Sequence, residues 1–95
     1  MNDRSKSSLG YQQITVLTAS VGFASIPTGS ETVLVQAEAQ NVRYRDDGTD
    51  PTAAIGMILV TNTIYEFTVA QFARMRFIEV AATAKLNISF YGTAP

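Results

Sequence analysis

The sequence predicts an all-β fold: a jelly-roll-like antiparallel β-sandwich of about seven or eight short strands with a flexible N-terminal arm. β-Branched and aromatic residues dominate from Tyr11 onward, and turn residues recur about every 8–12 residues, as in sandwiches and barrels. Several segments also alternate apolar and polar residues, as strands with one buried face do. The 95 residues suffice for one domain, which we place at 11–95, after an arm formed by the polar residues 1–10.

Alternation defines the predicted strands most clearly in the middle and at the end of the chain. Val33, Val35 and Ala37 share one face of one segment, and Leu86 and Phe90 share one face of another. A stretch of good helix formers over residues 69–76 is long enough for a single turn only. The predicted strands cover residues 13–18, 32–40, 42–45, 55–61, 64–69, 75–80 and 85–91.

The composition excludes several classes of chemistry. The chain has no cysteine and no histidine, so it lacks disulfides, thiolate metal sites and the commonest general base. We therefore predict a protein that is not an enzyme and has no cofactor. Seven basic and eight acidic residues give a net charge of −1, which supplies no general attraction for nucleic acid or an anionic membrane. A domain this small needs additional stabilisation, and oligomerisation is the remaining route.

An acid-rich turn follows the predicted strand over 42–45. Its aspartates and glycine suit either of two roles, a calcium site or a tight turn held by arginine pairs. The spacing lacks the bidentate glutamate of an EF-hand loop, so arginine pairing is the interpretation we prefer. The residues of this candidate turn and its ion pairs are Arg43, Arg45, Asp46, Asp47, Gly48 and Asp50.

Two arginine pairs leave a nucleic-acid alternative open. Arg43 and Arg45 flank Tyr44, and Arg74 and Arg76 flank a methionine, so each pair falls on one face of a predicted strand. A basic face with an interleaved aromatic ring binds single strands in other proteins. Four arginines among eight acidic residues do not form a basic stripe, and ion pairs explain them more simply. We therefore predict no nucleic-acid partner.

Protein contact is the function that the composition favours. Only 16% of the residues are charged and 46% are apolar, which leaves apolar surface for an interface. The run over 55–61 is apolar on both faces, as in a strand that is covered on both sides. The candidate interface residues are Tyr44, Ile55, Met57, Ile58, Leu59, Arg74 and Arg76.

A family resemblance adds a biological setting. The segment VRYRDDGTDPTA (42–53), followed by GMIL (56–59), resembles short proteins encoded among the structural genes of tailed bacteriophages. Residues 72–80 and the closing LNISFY (86–91) fit the same pattern, so the resemblance covers most of the chain after residue 10. Members of this group resemble β-sandwich or jelly-roll proteins that coat or cement capsids, or that lie at the neck, tail or baseplate.

The resemblance implies a virion structural protein, in first place a capsid decoration or cement protein that stabilises the head. Its expected partners are copies of itself, with a trimer favoured, and the major capsid protein or other virion proteins. The alternative is a tail, neck or baseplate component, either structural or binding a carbohydrate on the host surface. No apolar run reaches the ~20 residues that cross a bilayer, and residues 1–10 lack a signal-peptide core. We expect synthesis in the host cytoplasm, no membrane partner and a final location on the capsid surface.

Overall fold

The computed structural model describes residues 6–22 and 25–93. These residues form seven strands and one helical turn: β1 (Lys6–Ile14), β2 (Thr32–Glu38), β3 (Val42–Arg45), β4 (Met57–Leu59), β5 (Ile64–Thr68), α1 (Val69–Phe72), β6 (Arg76–Glu79) and β7 (Lys85–Thr93). All strand pairs are antiparallel. The predicted all-β class is confirmed, and the single turn of helix lies where the helix-forming residues predicted it.

The strands form two sheets with the order of a jelly roll. One sheet has four strands in the order β1-β7-β2-β5, and the other has three in the order β4-β3-β6. An isolated bridge joins Val21 to Phe77 on the free side of β6. If this bridge is counted as a shortened second strand, the sheets read 1-8-3-6 and 2-7-4-5, the arrangement of the eight-stranded jelly roll.

The core lies between the sheets, where the predicted alternation places it. Val33 and Val35 of β2 are fully buried, and so are Leu86 and Ile88 of the neighbouring strand β7. Residues between them, such as Leu34, face away from the core and remain partly exposed. The opposite sheet contributes to the core with the fully buried side chains of Val42, Leu59 and Phe77.

Aromatic contacts connect the two sheets. The chain passes from β5 to β6 through α1, which Thr68 caps by accepting a hydrogen bond of 3.2 Å from the backbone nitrogen of Gln71. The turn directs Phe72 into the core, where its ring lies 5.9 Å from Phe77 of one sheet and 5.6 Å from Phe90 of the other. Burial of such a ring contributes about 1.5–3 kcal/mol.

The predicted N-terminal arm extends too far along the chain. Residues 6–10, assigned to the arm, are the first half of β1 and pair with the end of β7. These polar residues form a strand because their backbone pairs with the last strand. A strand at a sheet surface buries only every second side chain, so it tolerates polar residues. The part of the predicted arm before Lys6 lies outside the described residues.

Two predicted strands also differ from those in the structure. Residues 15–18, which we placed in the first strand, follow the end of β1 at Ile14. The apolar run over 55–61 contains only the three-residue strand β4, at the edge of its sheet. It is therefore not covered on both faces: Leu59 is buried, whereas Met57 and Ile58 are exposed.

Candidate interaction surfaces

The acid-rich turn is held by one two-pronged ion pair. Arg45 donates from Nε and Nη2 to the two carboxylate oxygens of Asp47, over 3.1 and 2.5 Å. Asp47 also accepts a bond of 3.3 Å from the backbone nitrogen of Thr49, which closes the turn around Gly48 at a φ of 88°. The hydrogen bond from Arg45 lowers the pKa of Asp47 below its ordinary value. The predicted pairing is present at this position.

The other predicted turn residues have different partners. Arg43 donates to the carbonyl oxygens of Ala53 and Gly56, over 3.0 and 2.7 Å, and not to an aspartate. Asp46 accepts a bond of 2.9 Å from the side-chain amide of Gln71, which ties the turn to α1. Asp50 lies 3.7 Å from the guanidinium of Arg76, a loose and exposed pair.

Metal binding has little support in this turn. Both carboxylate oxygens of Asp47 contact Arg45, and Oδ2 of Asp46 contacts Gln71. Within residues 6–22 and 25–93, no three carboxylate, histidine or cysteine side chains lie close enough together to hold an ion. Over the same ranges, no helix combines the length and the apolar composition that a bilayer crossing requires.

The arginines and the tyrosine between them point to opposite faces of their sheet. Tyr44 faces the core, where its ring meets Phe67 edge to face at 5.5 Å. Burial, followed by the charge of Asp46, raises the pKa of Tyr44. Since Arg43 and Arg45 alternate with Tyr44 along β3, they lie on the outer face. The ring of Tyr44 therefore does not lie between Arg43 and Arg45 on the outer face, as the single-strand-binding alternative requires.

Four exposed apolar side chains lie on and beside β4. The exposed fractions are 58% for Ile55, 63% for Met57, 42% for Ile58 and 47% for Val60. We call these four residues the β4 patch. A groove of about 360 Å³ borders it, between Ile55 and Met57 on one side and the turn at Arg45–Asp47 on the other. Thus three of the predicted interface residues, Ile55, Met57 and Ile58, are exposed at a sheet edge, with Met57 and Ile58 on opposite faces of β4.

The remaining predicted interface residues lie elsewhere. Leu59 is fully buried in the core, so its place in a predicted interface is wrong. Tyr44 also faces the core. Arg74 and Arg76 lie in or next to β6, at the opposite edge of the three-stranded sheet from β4. Arg76 bonds Ser20 through the serine hydroxyl and carbonyl oxygen, at 3.4 and 3.3 Å.

A second surface, on the outer face of the four-stranded sheet, was not predicted. Tyr11 of β1 lies directly opposite Ser89 of β7, and Ser89 lies directly opposite Leu34 of β2. Along β7 the same face carries Asn87 and Tyr91. The small serine among larger neighbours leaves a hollow of about 180 Å³. We call it the Ser89 hollow; its outward-facing side chains are Tyr11, Leu34, Gln36, Ile64, Asn87, Ser89 and Tyr91.

Hydrogen bonds hold the rim of the Ser89 hollow in place. Oδ1 of Asn87 accepts bonds from the hydroxyl of Tyr11 at 2.6 Å and from the amide of Gln13 at 2.8 Å. Its Nδ2 donates to Glu38 at 3.0 Å and to Gln36 at 3.5 Å. All four polar sites of the asparagine are thus used, which fixes its orientation. The sequence shows that β1 and β7 each place a tyrosine, Tyr11 and Tyr91, on the outer face. It does not show that these two strands pair and so bring the tyrosines to one surface.

The chain matches no protein-family model, no curated protein and no solved structure in the comparisons made. The structural observations that bear on function are therefore the two surfaces just described.

Proposed function

We propose that this chain is a virion structural protein of a tailed bacteriophage, a decoration or cement protein that stabilises the head through protein–protein contacts. The proposal includes self-association, with a trimer as the favoured form, and seating on the major capsid protein. It assigns no catalytic role to any residue. The alternative is a component of the neck, tail or baseplate, either structural or binding a carbohydrate on the host surface.

The β4 patch is the observation that carries the proposal. Its four apolar side chains lie within six positions of the chain, at the end of a sheet where β4 has a strand neighbour only in β3 among the described residues. Edge strands expose backbone donors and acceptors that pair with another chain, and apolar side chains beside such an edge favour that contact. A second copy of the chain is the occupant that we propose.

The neighbouring groove adds to the case for a specific interface. It combines apolar walls, from Ile55 and Met57, with the Arg45–Asp47 pair at its border. Specific interfaces commonly have an apolar centre with polar groups around it, which set orientation. Together with the low content of charged residues, this composition suits a surface that is covered in the assembled particle.

Sedimentation equilibrium at micromolar concentration tests the self-association. We expect a trimer for the wild-type chain and a folded monomer for Met57→Asp, because the new carboxylate would be buried without a partner. Val16→Asp is the matched control, since Val16 is 70% exposed and lies after β1, away from the β4 edge. A wild-type chain that is monomeric and folded at this concentration would contradict the proposed trimer.

Particle binding tests the virion role separately. Purified protein would be added to particles of the encoding phage that lack it, and the bound protein would be located by cryo-electron microscopy. Density on the head surface, with greater resistance of the heads to heat, is the expected result. Density confined to the neck, tail or baseplate would replace the decoration role with the alternative, and particles that bind none would contradict both.

A further inference from the structure

The Ser89 hollow has a construction that the β4 patch lacks. Its floor is a hydroxyl-bearing residue, and its walls are two tyrosines, a leucine, an isoleucine and two amide side chains on four neighbouring strands. Tyr11 is 63% exposed, and the hydrogen bond from its hydroxyl to Asn87 orients the exposed ring beside the hollow. The hollow lies on the outer face of the four-stranded sheet, whereas β4 belongs to the other sheet.

The polar groups around the hollow retain bonding capacity. In the described part of the chain, neither the hydroxyl of Ser89 nor that of Tyr91 has a side-chain hydrogen bond to another residue. The Tyr11 hydroxyl donates to Asn87 and keeps its lone pairs available. Both donors and acceptors are thus presented within one small hollow, beside the faces of aromatic rings.

Charge restricts the class of ligand further. Among the residues that the structure describes, no arginine or lysine lines the hollow. The charged groups beside it on the same face are Glu38, which is bonded to Asn87, and Glu66, which lies directly opposite Leu34. Lys85 lies directly opposite Glu38, and its charge offsets that carboxylate. An anionic ligand would meet net repulsion here, whereas an uncharged polyol would not.

The volume fits one small ring. A space of about 180 Å³ holds the equivalent of about six water molecules, less than the pocket of a typical drug-sized ligand. A pyranose offers an apolar face of C–H groups for a tyrosine ring and a border of hydroxyl groups for amide and hydroxyl partners. The size of a pyranose and its combination of an apolar face with polar edges therefore match the hollow.

We propose that the Ser89 hollow is a binding site for a neutral sugar residue of a glycan, with Tyr11 stacking on the ring. Gln36 and the hydroxyls of Ser89 and Tyr91 hydrogen-bond its hydroxyl groups, and Asn87 positions the Tyr11 ring through its hydrogen bond to the tyrosine hydroxyl. This site is additional to the virion structural role and does not rest on it. On a particle it would add attachment to a glycosylated surface.

NMR titration of ¹⁵N-labelled protein with the methyl glycosides of glucose, galactose, mannose and N-acetylglucosamine, each at millimolar concentration, tests the site. We expect at least one of them to shift the backbone amide signals of Leu34, Asn87 and Ser89 in a saturable way. Glucuronic acid and N-acetylneuraminic acid serve as anionic comparators and are expected to bind more weakly. The absence of shifts with all four neutral sugars, or tighter binding of an anionic one, overturns the proposal.

Substitutions locate the binding within the hollow. Ser89→Leu fills the floor and should abolish the shifts, whereas Ser25→Leu makes the same exchange at an exposed loop position and should leave them intact. Tyr11→Ala removes the stacking ring and should weaken binding by about tenfold, while Tyr11→Phe keeps the ring and should retain most of the affinity. Since these positions lie on the solvent face, folding is checked by the dispersion of the same spectra. Unchanged binding in a folded Ser89→Leu protein overturns the assignment.

Discussion

Arg43 is bonded to Gly56, thirteen residues further along the chain, and not to the aspartates that follow it in the sequence. Its Nη1 atom donates a hydrogen bond of 2.7 Å to the carbonyl oxygen of Gly56, and its Nε atom donates one of 3.0 Å to that of Ala53. One guanidinium thus fastens the end of the loop that begins at Asp46 onto β3. Gly56 has a φ of 143°, which strains any other residue, and an added Cβ would lie 3.1 Å from the carbonyl oxygen of Tyr44, a tight contact.

Replacing Arg43 should loosen this loop and destabilise the protein. We expect Arg43→Ala to lower the free energy of unfolding by about 1–2 kcal/mol, since two charge-assisted hydrogen bonds to backbone carbonyls are lost. Arg43→Lys should recover only part of this, because an ammonium group does not reproduce the fork of the guanidinium. Urea denaturation measures both. Arg74→Ala, at an exposed position, is the control and should change stability by less than about 0.5 kcal/mol.

Gly92 marks a second close approach, at the end of β7. An added Cβ would overlap the carbonyl oxygen of Gly29 and lie 2.8 Å from Cδ1 of Leu9. We therefore expect Gly92→Ala to cost about 1–3 kcal/mol through overpacking, measured as a lower denaturation midpoint. Gly48→Ala is the comparison for backbone strain without overpacking, because Gly48 has a φ of 88° but open space around an added Cβ. A Gly92→Ala protein as stable as the wild type would contradict the observed packing of this corner.

The Arg45–Asp47 pair makes stability depend on pH in the acid range. The hydrogen bond from Arg45 holds the pKa of Asp47 below its ordinary value of 3.8. A carboxyl group whose pKa is lowered by folding stabilises the protein above its ordinary pKa, and this contribution is lost as the pH falls through the folded value. Asp47→Asn should therefore have a lower Tm than the wild type at neutral pH. That difference should be constant above pH 5 and shrink below pH 3.8; a difference that persists unchanged in acid would contradict the pair.

Calcium should have no effect on the folded protein. The Asp47 carboxylate is occupied by Arg45, and Asp46 is held by Gln71, so an ion would have to displace both partners. We expect the same Tm in excess EDTA and in millimolar calcium, measured by calorimetry. A rise of about 4–8 °C with calcium, which corresponds to ~1 kcal/mol in a domain of this size, would instead establish the calcium site.

The sequence allowed the core to be predicted, because burial follows a local pattern. Val33 and Val35 alternate with polar or partly exposed residues, and this alone identified their inward face. The prediction for the run over 55–61 is wrong because burial is not set by local composition alone. Its apolar content predicts burial, but its position at a sheet edge depends on which strands pair. Polar residues 6–10 were excluded from the sandwich because their partner, the end of β7, lies more than eighty residues away.

The candidate surfaces likewise differ in whether the sequence predicts them. Ile55, Met57 and Ile58 are neighbours in the chain, so they were found together. Tyr11 and Ser89 are joined only by the register of β1 against β7, which no local pattern encodes. The hydrogen bonds of Arg43 go to backbone carbonyl oxygens. Every residue carries such an oxygen, so the residue types do not predict these partners.

The pairing of β1 with β7 also determines when this protein is able to fold. Both β1 and β2 pair with β7, so the centre of the four-stranded sheet is missing until the residues of β7 have been synthesised. On a ribosome, the preceding strands would emerge with their sheet unfinished. Folding should follow the emergence of β7 from the ribosome, with the millisecond-to-second rates of domains rich in long-range contacts.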